Sequence, residues 1–455
     1  MLTKWLLLTA AVLQSALASS SGSSDALDSQ AQTIVDGFST DQVIGQMCQL
    51  DISMVLNDDN SVNETLDIQT FHMDENGGHP MVYGLDSVHG AQYVDQAVMF
   101  PQQINAGASF NPELVRKMGY VTGRDTAAAG AAYIQGVQNN SQSGACMKHF
   151  IGYSQTVTGV DREGVTISDY DLLNYHVPSF KAGIEHGAMS TMENYISVNG
   201  VPVVSSTKIL NNLLRNDLDF DGVVVTDWGE VNNLQSWHRV VSTQQAAVEL
   251  VIANTSLDMT MVPYSTDFID QAKYVLSNNS DYEARLRASA KRIVKMKLDM
   301  GLYDTPVPGA DNVALVGNDD DLAEALDLAR ESIVLLKNDD NILPLTNSTS
   351  VFLTGFSVDD IGYQCGGWSI YWQGTSGNDY FAHGMSVKEG IENLVGSDSV
   401  TYFNGLSDDG TYSDEDLSTA VGMASDADVI IAAIGEAPYA EKWGDIDVGA
   451  TFGPT

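Results

Sequence analysis

The sequence predicts a two-part α/β protein. Short apolar runs of strand length alternate with helix-length amphipathic stretches from about Ile34 to Tyr303, a Pro-Val-Pro-Gly break follows at 306–309, and a second alternating run begins at Asp321. Strands separated by helical crossovers imply a parallel sheet, either open or closed into a barrel. The chain of 455 residues is long enough for two hydrophobic cores.

In the first run the expected strands are Met81–Leu85, Ala145–Phe150, Ala188–Glu193, Gly222–Thr226 and Ser256–Thr260. The helical stretches are Pro112–Ala129, with Asn111 as cap and Pro112 at the first helical position, then Ser168–His186, Ser242–Ala253 and Glu283–Met300. In the second run a helix is expected over Asp321–Ser332, with others near Val387–Leu394 and Asp414–Ala424. Strands are expected at Ile333–Leu336, Ser350–Thr354 and Val429–Ile434. The boundaries read as a leader over 1–18, a flexible spacer over 19–33, a first domain over 34–305, a linker over 306–320 and a second domain over 321–455. No closing element follows the last strand, so the second domain reads as incomplete.

The leader has Lys4 in a short n-region, an apolar stretch Leu6–Ala18 and small residues at Ala16-Leu17-Ala18, the pattern of a secretory signal. Glycosylation sequons at Asn63, Asn139, Asn254, Asn278 and Asn347 suit that route, and the expected location is extracellular, with no membrane attachment once the leader is removed. Cys48, Cys146 and Cys365 are odd in number and scattered, so no disulfide framework can be read. The net charge, 21 − 60 = −39, opposes nucleic acid and anionic membrane as partners, because both need basic surface.

Reactive groups in parallel α/β folds gather where strands end at their C-termini. Four such ends are polar here: Asp86 with His89, Lys148 with His149, Glu193-Asn194-Tyr195, and Asp227 with Trp228. Each has a plainer reading: a strand-end Asp caps the next helix, a Lys sits at the surface, a His fills a core. Together they make the mixture a sugar pocket needs, with carboxylates to accept from hydroxyls, Lys to donate, and aromatic faces for the ring. The second domain adds a Gly- and Trp-rich stretch, Gly362–Trp372, and Gly435-Glu436-Ala437-Pro438-Tyr439-Ala440-Glu441. Glycoside hydrolysis uses two carboxyl groups flanking one bond, which Asp227 and a glutamate of this last stretch could supply.

The stretches GLDSVHG (84–90), MFPQQINAGASFNPELV (99–115), KHFIGYS (148–154), DFDGVVVTDW (219–228), LDMTMVP (257–263), ARESIVLLKN (329–338), GYQCGGWSIYWQG (362–374) and IGEAPYAEKWGD (434–445) resemble glycoside hydrolase family 3, the β-glucosidase and β-glucan exohydrolase family. The resemblance implies a (β/α)8-like TIM barrel followed by an α/β sandwich, with the site between them. It implies Asp227 as nucleophile and Glu441 as acid/base, with Glu436 as the alternative. Asp86, Lys148 and His149 match residues that hold the hydroxyls of the nonreducing glucose, and Met192 and Tyr195 match pocket walls. Trp368 and Trp372 match the pair that clamps the next sugar, and Trp228 matches the floor. The implied chemistry is retaining, exo-acting removal of β-D-glucosyl residues from a β-glucan or β-glucoside, without metal or organic cofactor. The carboxyls would then stand about 5–5.5 Å apart.

The chain departs from the family pattern in two places. After Gly130-Ala131 the family continues through another barrel strand and a W-x-R…E-x-x-G-E-D-P stretch, whereas here Ala132 runs into Tyr133–Gln138, the following helix. The family's sandwich also continues well past Gly444-Asp445. These departures favour a catalytically inactive, sugar-binding relative as the competing reading, and β-xylosidase activity remains a third. The β-N-acetylglucosaminidase branch is disfavoured, because FIGYSQTVTGVDREG after Lys148-His149 lacks its P-G-x-G-type loop.

Overall fold

The computed structural model describes residues 25–55, 72–128, 144–307, 309–407 and 410–445. The leader, the sequons at Asn63 and Asn139 and the departure after Gly130 lie outside these residues. Two compact units emerge. One contains the described residues up to Gly84 and those from 144 to Ala310, and the other contains Leu85 to 128 and everything from Asp311 onward.

The first unit is built on parallel strands. Cys146–Phe150 pairs with Ser190–Glu193, which pairs with Val223–Val225. A bridge from Val225 to Met259 leads to Thr260–Met261, which pairs with Cys48–Gln49. Parallel neighbours need crossovers, and helices supply them. Residues Asp169–Glu185 connect the first two of these strands, Thr207–Asp217 the next two, and Glu230–Ser236 with Gln244–Asn254 lead on to Thr260. The strands make one row in that order. Among the described residues no strand joins its two outer edges, Cys146–Phe150 and Cys48–Gln49, so no closed barrel is seen.

The Val223-Val224-Val225 run is wholly buried, as expected of a strand covered on both faces. Burying each such side chain contributes about 1.5–3 kcal/mol. Its backbone is tied from below by Asp258, which accepts from Val224 N–H at 2.9 Å, from Ser289 Oγ at 2.6 Å and from Arg292 Nη1 at 3.0 Å. This holds the strand in register, and so fixes where its C-terminal end, Asp227, falls. The helix Tyr282–Asp299 turns Leu286, Ala290, Ile293 and Val294 onto the same core.

The second unit has a parallel sheet ordered Val429–Ala432, Val351–Thr354, Val400–Tyr402. Helices Val387–Val395 and Asp414–Ala424 each begin with a capping box, at Ser386 and Ser413. The segment 85–128 joins this unit, although it reads in the sequence as part of 34–305. Helix Pro112–Ala128 turns Leu114, Met118 and Val121 onto Ala325 and Leu328 of helix Asp319–Ser332, with Val98 and Phe100 completing that core.

Two expected strands do not form. Met81–Leu85 and Ile333–Leu336 have no ladder partner among the described residues, and a strand exists only where its backbone groups find one. Ile333–Leu336 instead stands in solvent, with Leu336 90 % exposed. The expected strand Ser256–Thr260 starts later, at Thr260. No helix among the described residues is long and apolar enough to cross a membrane.

Candidate active site

In the first unit Asp227 lies two residues beyond Val225, at the C-terminal end of the central strand. One carboxylate oxygen, Oδ1, accepts from the Trp228 N–H at 2.7 Å. The other, Oδ2, lies 3.3 Å from His149 Nε2 on strand Cys146–Phe150, one strand beyond the adjoining Ser190–Glu193. The carboxylate is therefore oriented from two sides while its side chain stays 11 % accessible. Such a group can attack a carbon brought to it, because its rotamer is fixed before the reaction. Lys148 precedes His149 and is half-buried.

Around this pair the strand ends are crowded with polar groups. Met192 is paired in register with Val225, and both Met192 and Tyr195 are buried. The Tyr195 ring carries the Arg162 guanidinium 3.7 Å above its centroid. Arg162 Nε in turn meets Asp161 at 3.3 Å, and Tyr153 donates its hydroxyl to the same Asp161. Burial, and then that bond to Asp161, push the Tyr153 hydroxyl well above the usual phenol range. The Tyr153 ring stands edge-on to His149, centroids 5.3 Å apart, so it fixes the imidazole plane. Trp228 is 41 % exposed and meets Tyr264 in a T-shaped contact at 5.7 Å, which leaves an aromatic surface open beside Asp227.

Behind Asp227 lie two buried acids. Glu193 Oε1 accepts from the Asp227 N–H at 3.2 Å. Glu230, one helical turn past Asp227, accepts from His238 Nε2 at 2.5 Å and Asn233 Nδ2 at 2.7 Å. His238 reaches Ser197 Oγ through Nδ1 at 3.3 Å. Burial raises the Glu193 carboxyl well above the usual carboxylate range, and Glu230 and Asp227 add to the effect.

In the second unit Asp86 is exposed, half-buried Trp368 and exposed Trp372 meet at 6.3 Å with planes 65° apart, and Trp368 N–H donates to Trp372 O at 2.9 Å. This tight loop is anchored by His89 and Gln102. His89 Nδ1 donates to Phe100 O at 2.6 Å, which makes Nε2 an acceptor, and Gln102 Nε2 and Ser369 Oγ stand 3.0 and 3.1 Å from it. Gln102 also donates to the carbonyls of Cys365 and Gly367. Gln373 brackets Ala440, taking its N–H at 2.9 Å and donating to its C=O at 3.2 Å. The Trp loop thereby holds the stretch that carries Glu441, which itself sits at φ 54°. Glu436 is exposed and accepts from Tyr439 OH at 2.6 Å.

The structure thus groups Lys148, His149, Met192, Tyr195, Asp227 and Trp228 in one unit. In the other it groups Trp368, Trp372 and Glu441, which the Gln373–Ala440 bonds link, and it places Asp86 in that unit as well. The sequence reading named Glu193 only among the polar strand ends, and assigned no role to Glu230, His238, Tyr153, Asp161, Gln102 or Gln373. The sequence signals were a second acid one turn after Asp227 and the glutamines Gln102 and Gln373 inside the quoted motifs. No group of three or more His, Cys, Asp or Glu side chains among the described residues could hold a metal ion.

Comparison with known proteins accords with this arrangement. The model of the glycosyl hydrolase family 3 N-terminal domain matches residues 126–296, and that of the family 3 C-terminal domain matches 333–449. The chain is 34 % identical over 421 residues to a lysosomal beta glucosidase of Dictyostelium discoideum, covering 81 % of this chain and 51 % of that protein. It is 25 % identical to a beta-xylosidase of Formosa agariphila, covering 93 % and 63 %. The fold matches a beta-glucosidase of Listeria innocua in complex with glucose, with TM-score 0.79, 22 % identity, and coverage of 92 % of this chain and 65 % of that one. It also matches an exo-1,3/1,4-beta-glucanase of Pseudoalteromonas, with TM-score 0.78, 24 % identity, and coverage of 92 % and 60 %. The chain spans about half to two thirds of the length of these relatives. With both domain models matched in order along the chain, and the strand-end carboxylate and Trp loop in place, the chain belongs to glycoside hydrolase family 3.

Proposed function

We propose that this protein is a secreted, retaining, exo-acting β-glucosidase that releases terminal nonreducing β-D-glucosyl residues from β-glucans or β-glucosides. The observation that carries the reading is the Asp227 carboxylate at the end of a buried parallel strand, held by the Trp228 N–H and faced by His149. Asp227 attacks the anomeric carbon, and Glu441 gives its proton to the leaving oxygen. Water, deprotonated by Glu441, then releases the sugar with retained configuration. Lys148, His149 and Asp86 hold hydroxyls, Met192 and Tyr195 form the wall, and Trp228, Trp368 and Trp372 offer faces to the sugar rings. The names of the Dictyostelium and Listeria relatives support glucose as the recognised unit.

A pentoside substrate is the second reading, favoured by the beta-xylosidase relative, which matches 93 % of this chain. An inactive sugar-binding role is the third, favoured by the departure from the family pattern after Gly130-Ala131. One experiment separates them. Purified protein is incubated with aryl β-glucoside and aryl β-xyloside, and with a 2-deoxy-2-fluoro-glucoside that traps the nucleophile. Glucoside turnover with a covalent label on Asp227 is expected. Preferential xyloside turnover selects the second reading, and neither turnover nor label selects the third. Recovery of the chain from the medium of a eukaryotic host, shortened after Ala18, tests secretion.

A further inference from the structure

Strand Ser190–Glu193 ends in an acid that is fully buried, yet the reaction described above gives it no task. Its oxygens are unequally served. Among the described residues, Oε1 accepts the Asp227 N–H at 3.2 Å and Oε2 has no hydrogen-bond partner. Its neighbour Glu230 is equally buried, but both of its oxygens are satisfied, by His238 and Asn233. A buried carboxylate anion needs donors on both oxygens or a paired cation, whereas a carboxylic acid needs only one acceptor site filled and a place for its proton.

The charged groups nearby sharpen the contrast. Asp227 follows the adjoining strand and Glu230 begins the next helix, with His238 turned toward Glu230. On the other side, strand Cys146–Phe150 brings Lys148 and His149, and His149 faces Asp227. Arg162 from the following loop is engaged by Asp161 and the Tyr195 ring. Burial acts first against a charge on Glu193, then Glu230, then Asp227, and the Asp227 N–H opposes them.

We infer that Glu193 is a positioning residue that works as the uncharged acid, fixing the backbone of Asp227 through Oε1 while leaving Asp227 as the charged member of the pair. This inference rests on the reading of Asp227 as the nucleophile. An ionised Glu193 would put a second negative charge behind Asp227 and would lack donors for Oε2. The proton on Glu193 removes the second charge and replaces an unserved anionic oxygen with a neutral group that costs far less to bury.

The test compares Glu193→Gln, which copies the shape and neutrality of the acid, with Glu193→Ala, which removes the acceptor. Thermal melting is followed from about pH 4 to about pH 8. In the unfolded chain the glutamate loses its proton near pH 4.3, so the folded parent, which keeps it, loses stability as pH rises above that value. Gln has no such loss. The melting temperature of E193Q relative to the parent should therefore climb with pH. E193Q should also keep at least about tenfold more kcat on an aryl β-glucoside than E193A, because it retains the Asp227 contact. A flat or falling melting difference overturns the inference, as does E193Q activity as low as that of E193A. The melting series needs no substrate. If it climbs while the parent turns over no glycoside, the functional reading fails and the proton on Glu193 stands. Should E193Q fail to fold, the parent's infrared spectrum at neutral pH decides. A buried protonated-carboxyl band is expected, and its absence overturns the inference.

Discussion

His149 Nε2 lies 3.3 Å from Asp227 Oδ2, across the pairing of two parallel strand ends bridged by Ser190–Glu193. This contact orients the carboxylate oxygen that Trp228 does not hold. His149→Ala should lower kcat/KM on an aryl β-glucoside about a hundredfold, the usual effect of deleting one preorganised electrostatic contact. Labelling of Asp227 by a fluoro-glucoside should slow in parallel. Unchanged labelling would mean that His149 contributes nothing to the nucleophile. Tyr153→Phe, which breaks the bond to Asp161 but keeps the ring against His149, should have a smaller effect.

The two candidate acids of the second unit differ in how they are held. Gln373 clamps Ala440, the residue before Glu441, whereas the Glu436 carboxylate is exposed and taken by Tyr439 OH. Glu441→Gln should therefore show the signature of a lost general acid. Glucosides with basic leaving groups should slow by about a hundredfold or more, and activated aryl glucosides much less. Added azide should restore turnover of the activated substrates. The same pattern in Glu436→Gln, with E441Q near normal, would exchange the two roles.

Gly367 tests the Trp loop. A Cβ there would clash with Tyr439 O, which is backbone and cannot swing aside. Gly367→Ala should destabilise by about 2 kcal/mol or more, as overpacking against fixed atoms does. Gly366, one residue earlier, sits at φ 75° with only Gln102 Nε2 nearby, at 3.6 Å. Gly366→Ala should cost about 1–3 kcal/mol from backbone strain, since φ 75°, ψ −160° is a region open essentially to glycine alone. A melting temperature for Gly367→Ala equal to that of the parent would contradict the packing of Gly367 on Tyr439.

Much of this was legible in the sequence. Val223–Val225 reads as a strand because buried parallel strands are continuous apolar runs, and a polar residue closing such a run stands out, as Asp227 does. Met81–Leu85 and Ile333–Leu336 read the same way and formed no strand. An apolar run states a tendency toward a ladder and says nothing about whether a neighbour is there to complete it. The pairing of Leu114 with Leu328 was invisible for a related reason, since it joins residues more than two hundred positions apart and leaves no local period. The buried Glu193 and Glu230 were not assigned roles because an acid's burial is decided by the elements that close around it.

His89 gives the second unit a pH dependence. It is fully buried, and burial holds its proton affinity below the usual imidazole value. The folded state therefore resists a second proton that the unfolded chain accepts near pH 6.5. More protons on the unfolded state means that stability falls as pH drops below that point, with a limiting slope of about 1.4 kcal/mol per pH unit. Melting followed from pH 7.5 down to pH 5 should show this fall, and His89→Asn, though less stable at pH 7.5, should show a shallower one. An unaltered slope would mean that the acid sensitivity arises elsewhere.

Leu328 tests the membership of segment 85–128 in the C-terminal unit. Its side chain is fully buried in a core with Val98, Phe100, Leu114, Met118 and Val121. Leu328→Ala should cost about 2–5 kcal/mol, because a cavity opens among side chains held by two helices. The location of the loss is more informative than its size. Cooperative units open together, so hydrogen exchange should accelerate in Pro112–Ala128 as well as in Asp319–Ser332, while Val223–Val225 keeps its protection. If Pro112–Ala128 were instead part of the first unit's core, its amides would keep their protection and only the helix bearing the substitution would loosen. The exchange pattern therefore decides where the chain divides, independently of any measurement of activity.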